Sequence, residues 1–66
     1  MIELRIIKEL YQEKNIHLAI KAYKGISDVF FQEQDNYWIL LFTNCKYNEA
    51  KTIQEFENYL IGLENC

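Results

Sequence analysis

The sequence predicts an α+β domain of order β-α-β-β-α, a three-stranded sheet with two helices packed on one face. Three observations carry this. Residues Val29 to Thr43, VFFQEQDNYWILLFT, hold two runs of aromatic and branched side chains separated by Asp35-Asn36, the composition of a hairpin whose turn tolerates positive φ. Segments before and after it place apolar residues at helical spacing. A chain of 66 residues with no proline and two glycines leaves room for one domain, residues 1–66.

The first strand is read from IELRIIK, Ile2 to Lys8. Ile2, Leu4 and Ile6 share one face while Glu3 and Arg5 take the other, the alternation of a half-buried strand. Ile7 breaks the pattern, and Leu4, Ile7, Lys8 and Tyr11 also lie at helical spacing. Strand is preferred because the helix that follows has its own start and stop signals.

That helix is expected from Gln12 or Asn15 to Lys24. Ile16, Ala19, Ile20 and Tyr23 form a stripe for the sheet, and Lys14, Lys21 and Lys24 lie on the solvated side. Asn15 is the expected N-cap. Gly25 followed by Ile26 reads as a left-handed C-cap closed by a hydrophobic contact, with Lys24 near the negative end of the helix dipole.

In the hairpin, Val29 to Gln34 and Tyr37 to Thr43, a two-residue loop sets the register. Val29 then faces Phe42, Phe31 faces Leu40 and Glu33 faces Trp38 on one side; Phe30 faces Leu41, Gln32 faces Ile39 and Gln34 faces Tyr37 on the other. A change of one residue in the loop would exchange the two sets. The run Trp38 to Phe42 has no polar position, as expected of a strand central in the sheet or covered on both sides.

The last helix is expected from Asn48 to Leu63, with Asn48 as N-cap and Glu49 near the positive end of the dipole. Ala50, Ile53, Phe56 or Glu57, Leu60 and Leu63 form its buried stripe, and Glu49, Glu55, Asn58 and Glu64 fall on other faces. Two short helices cover one sheet face only. The other, with Phe30, Gln32, Tyr37, Ile39 and Leu41, is the expected partner-binding surface, apolar at one end and amide-rich at the other. The competing reading covers it with Tyr11 and its neighbours, or with a second copy of the chain.

Composition excludes several classes. A formal net charge of -3 offers no footprint for a phosphate backbone, so nucleic acid is not an expected ligand. No apolar run approaches the roughly 20 residues of a membrane span, and no signal-peptide pattern opens the chain, so the expected location is cytoplasmic, with Cys45 and Cys66 reduced. His17 has Lys21 rather than a ligand at i+4, so no metal or other cofactor is expected. Cys45 could gain reactivity from the following helix and from Lys46, though packing is its simpler reading. With no phosphate loop, nucleophile elbow or cysteine knuckle, the chain is not expected to be an enzyme. If the helices lie side by side, Lys14, Lys21 and Lys24 face a lane of Glu49, Glu55, Glu57 and Glu64, charges that could orient a partner.

The run NIHLAIKAYKGISDVFFQEQ, Asn15 to Gln34, resembles the signature of the D-type proteins of His-Xaa-Ser peptide-modification systems. There a helix with small residues and a tyrosine leads through a short turn and an aspartate into an aromatic strand; Ala19, Ala22, Tyr23, Asp28 and Phe31 take those places. The family's C-terminal signature is partly echoed by Phe56-Glu57-Asn58-Tyr59-Leu60, without its arginine. The resemblance implies a non-catalytic accessory protein that presents a ribosomally made precursor peptide to a radical-SAM maturase, and it brings no catalytic residues. The residues would bind such a partner at a sheet edge or on the apolar face. Two other readings stand beside it: a small phage-type inhibitor of a host enzyme, and a homodimeric structural or interaction module.

Overall fold

The computed structural model describes residues 2–66. The elements are strand β1 (Ile2–Ile7), helix α1 (Glu13–Ala22), strands β2 (Asp28–Gln34) and β3 (Tyr37–Thr43), and helix α2 (Glu49–Glu64), the expected order. The sheet order is β1-β3-β2 with both pairings antiparallel, so the all-apolar strand is central. β1, α1 and β2 form a split β-α-β unit with β3 inserted between its two parallel strands.

The hairpin register is the expected one, Val29 opposite Phe42 through Gln34 opposite Tyr37. Asp35 takes φ 51°, where its short polar side chain is tolerated. β1 joins with Ile2 opposite Phe42, Leu4 opposite Leu40 and Ile6 opposite Trp38, which puts these three side chains on the helix side and leaves Ile7, opposite Tyr37, on the other. There Ile6, Trp38, Leu40 and Phe42 meet Ile16 and Ala19 of α1 and Phe56 and Leu60 of α2 in one core. Phe56 stands edge-on to Phe42 at 5.1 Å and to Tyr23 at 5.3 Å, and such pairs stabilise beyond the area they bury.

Helix α1 departs from expectation at both ends. α1 is capped by Gln12, which makes no side-chain cap, while Asn15 lies buried inside the helix. The cap comes from the far end of the chain. The Glu64 carboxylate accepts from the Gln12 backbone N–H at 2.7 Å and from Asn15 Nδ2 at 2.9 Å, so it satisfies one of the helix's orphan donors and a buried amide together. Glu64 is therefore not part of a solvated acidic lane. Gly25 forms no left-handed cap: no glycine has positive φ, and α1 closes at Tyr23. The Tyr23 carbonyl accepts from the N–H groups of Ile26 and Ser27 at 2.9 and 3.0 Å, which completes the turn without left-handed backbone.

α2 starts as expected, with Asn48 Oδ1 accepting from the Lys51 N–H at 3.0 Å. Of its expected stripe Phe56 and Leu60 are buried and Ile53 and Leu63 pack against the core, while Ala50 is exposed and Thr52 is buried in its place. Thr52 can be buried because its hydroxyl donates to the Asn48 carbonyl at 2.8 Å. The two connections beside the sheet are tied together by Ser27 Oγ donating to the Thr43 carbonyl at 2.9 Å and by the Lys46 N–H donating to the Ile26 carbonyl at 2.8 Å. No helix among the described residues is long and apolar enough to cross a membrane.

Candidate partner-binding surfaces

The register places Phe30, Gln32, Tyr37, Ile39 and Leu41 together on the face that the helices leave open, joined there by Glu3, Arg5 and Ile7 of β1. They are unequal. Phe30 is 59% exposed and Tyr37 38%, Leu41 is half-buried, and Ile39 is only 3% exposed although no helix crosses it. Ile39 lies between Arg5 and Gln32 on the neighbouring strands, and it is buried without joining the core. Arg5 reaches over the Tyr37 ring, 5.6 Å from its centre, while its Nη2 lies 3.3 Å from Glu3 Oε2. Arg5 thus lies along this face beside Ile39, and the stem of such a long side chain shields apolar surface while its charged head stays in water. The expected continuous patch is broken at Ile39 into Phe30 and Leu41 on one side and Tyr37 and Ile7 on the other. Tyr11 does not cover it. Its carbonyl accepts from Trp38 Nε1 at 3.0 Å on the helix side, where Tyr11 packs against the core.

The sheet edges follow from one bond. The Lys8 N–H donates to the Asn36 carbonyl at 2.9 Å, one step beyond the pair Ile7–Tyr37. Antiparallel partners alternate between pairs that exchange backbone bonds and pairs that do not. The bonded pairs of β1 with β3 are therefore Ile6–Trp38, Leu4–Leu40 and Ile2–Phe42, which leaves Tyr37, Ile39 and Leu41 to bond β2. Backbone groups of Glu3, Arg5 and Ile7 then point outward at one edge, and those of Val29, Phe31 and Glu33 at the other.

The two edges differ in what flanks them. Beside β2 lies a groove of about 520 Å³ whose far wall is His17, Ile20 and Lys21 of α1 with Lys24 of the turn after it, and whose near wall is Ser27, Asp28, Val29 and Phe30. The wall residues of α1, His17, Ile20 and Lys21, recur at i, i+3 and i+4, one face of the helix, and Lys24 continues the wall in the turn beyond it. His17 lies 4.9 Å from the Phe31 ring, which fixes α1 over this strand. Its Nε2 is 3.3 Å from Glu13 Oε2, so the carboxylate near it stands at i−4, opposite in direction to Lys21 at i+4. Lys21 and Lys24 are exposed, and neither is ion-paired with a carboxylate among the described residues. Asp28, the one acidic group of the groove, accepts from Asn44 Nδ2 at 2.9 Å.

At the hairpin end of the sheet, Lys8 lies over the Trp38 ring at 4.9 Å and ion-pairs with Glu33 across it. A second cleft, about 290 Å³, lies between Tyr23 and Ile26 on one side and Tyr47, Lys51, Thr52 and Glu55 on the other. Burial pushes the Tyr23 phenol above its ordinary pKa, and the Glu55 carboxylate and Tyr59 add to the shift. Cys45 is half-buried against the core with Sγ 3.3 Å from Ser27 Oγ, the packing position that its place at a strand end suggests, and Cys66 is exposed. Among the described residues no three of His, Cys, Asp and Glu gather where they could hold a metal ion.

The groove is the feature that the sequence did not disclose, because only tertiary packing lays α1 along β2. The available signal was the i, i+3 spacing of Lys21 and Lys24. Comparison with family models, with curated proteins and with solved structures finds no match for this chain.

Proposed function

We propose that this chain is a non-catalytic binding protein that holds an extended peptide as a fourth strand along the free edge of β2. The observation that carries the reading is the outward backbone of Val29, Phe31 and Glu33 beside the α1 groove. An edge alone invites indiscriminate pairing. An edge with a groove supplies both main-chain hydrogen bonds and a place for alternate side chains, the two parts of recognition by strand addition. The open face favours this site less, because Ile39 is already buried there.

The resemblance of Asn15 to Gln34 to D-type proteins of His-Xaa-Ser systems supplies a candidate occupant, the ribosomally made precursor peptide. The role would be to present that peptide to a radical-SAM maturase in the cytoplasm. The turn-and-aspartate part of the resembling stretch, Ser27 and Asp28, lies in the near wall of the groove. Calorimetry with the peptide and enzyme encoded by adjacent genes tests the role. Micromolar binding of the peptide with perturbation of the β2 edge is expected, and absence of binding to either product refutes it. A homodimer through Phe30 and Leu41 is the second reading, favoured by the exposure of Phe30, and sedimentation separates it: strand addition needs only a monomer.

A further inference from the structure

We infer that the β2–α1 groove selects an acidic segment, one with carboxylates at alternate positions of an extended chain. This rests on the strand-addition reading above and adds the chemistry of the occupant.

A strand paired with Val29, Phe31 and Glu33 turns every second side chain toward the helix side of the sheet, into the space between Val29 and α1. The floor there is apolar, from Val29 and Ile20, and the far wall carries Lys21 and Lys24. The spacings agree. The Lys24 N–H donates to the Lys21 carbonyl at 3.3 Å in the turn that closes α1, which keeps the two residues one turn apart, and alternate residues of a strand are about 6.7 Å apart, so two carboxylates at i and i+2 can meet both ammonium groups at once. The lysines are unpaired within the described residues, so neither must break an ion pair to do this. The groove's own carboxylate, Asp28, is engaged by Asn44. In a chain of net charge -3 this basic wall is a local exception, and a basic segment would meet like charge.

The other edge lacks these features: Glu3 and Arg5 are paired with each other. The open face offers aromatic surface without an unpaired charge to choose a partner.

The test uses the full chain, ¹⁵N-labelled, at low salt, with three capped eight-residue peptides alternating valine with glutamate, glutamine or lysine. The glutamate peptide is expected to shift the amides of Val29, Phe31 and Glu33 and to bind about tenfold tighter than the glutamine peptide, an advantage lost at high salt. The double substitution Lys21→Glu, Lys24→Glu removes the advantage, so that the glutamate peptide no longer binds tighter than the glutamine peptide, whereas Lys14→Glu, on α1 outside the groove, keeps it. All three positions are exposed, so the variants fold. Equal affinity of the glutamate and glutamine peptides at β2 overturns the acidic preference while leaving strand addition intact. Shifts confined to Glu3, Arg5 and Ile7, or none with any peptide, overturn both.

Discussion

Replacing Glu64 by alanine should destabilise this protein far more than an acidic residue at the end of a helix ordinarily would. The carboxylate carries two bonds that reach back across the molecule, to the Gln12 N–H at 2.7 Å and to Asn15 Nδ2 at 2.9 Å. Gln12 is exposed and its N–H can turn to water, so that bond contributes little. Asn15 is only 6% exposed, and without Glu64 its amide is left buried with an unmet donor. Hydrogen bonds to a charged group contribute about 1.5–3 kcal/mol, and an orphaned buried donor costs about as much, so the expected loss is about 2–3 kcal/mol. For a domain of this length, whose total stability is on the order of 3–10 kcal/mol, that lowers the melting temperature by roughly 10–15 °C. Urea unfolding followed by circular dichroism and by Trp38 fluorescence measures it. Glu64→Gln keeps an acceptor at the same position and should lose about half as much. Glu64→Ala combined with Asn15→Leu should recover about 1 kcal/mol relative to the simple sum, because the orphaned amide is gone. A Glu64→Ala protein within about 0.5 kcal/mol of the parent would refute the cap and return Glu64 to the surface.

Other substitutions separate exposed from sealed positions on the open face. Ile39→Lys buries an amine in a site 3% exposed and should cost more than about 2 kcal/mol, whereas Phe30→Asp, at a site 59% exposed, should leave the urea midpoint nearly unchanged; equal costs would show that Ile39 is not shielded. Asp35 holds φ 51° without a side-chain bond of its own and Asn44 holds φ 53° while bonding Asp28, so Asp35→Gly should stabilise by about 0.5 kcal/mol and Asn44→Gly should not. Tyr23 has its pKa raised above the ordinary 10.0 by burial, by Glu55 and by Tyr59, so the folded chain keeps a proton that the unfolded chain releases. Its contribution is whole below pH 10.0 and is lost as pH rises above it, and Tyr23→Phe should flatten the decline in urea midpoint over that range. An unchanged slope would refute that assignment.

Local physics alone determined the elements and the hairpin register. Alternation in Ile2 to Ile6, the helical stripe of Ile16, Ala19 and Ile20, and the Asp35-Asn36 turn are properties of neighbouring residues, and a two-residue turn leaves one pairing between the strands it joins. The apolar run of β3 pointed to a strand central in the sheet or covered on both sides, and the order β1-β3-β2 makes it the central one. What tertiary structure decided was where groups far apart in the chain meet. Asn15 is a plausible N-cap in isolation, but Glu64, 49 residues away, supplies the acceptor, and Asn15 becomes a buried donor instead. Ile39 alternates to the open face, yet it is buried there between Arg5 and Gln32 of the neighbouring strands. Lys21 and Lys24 read as solvated charges until α1 is laid along β2, because an edge and a helix make a groove only when the core beneath them fixes their separation.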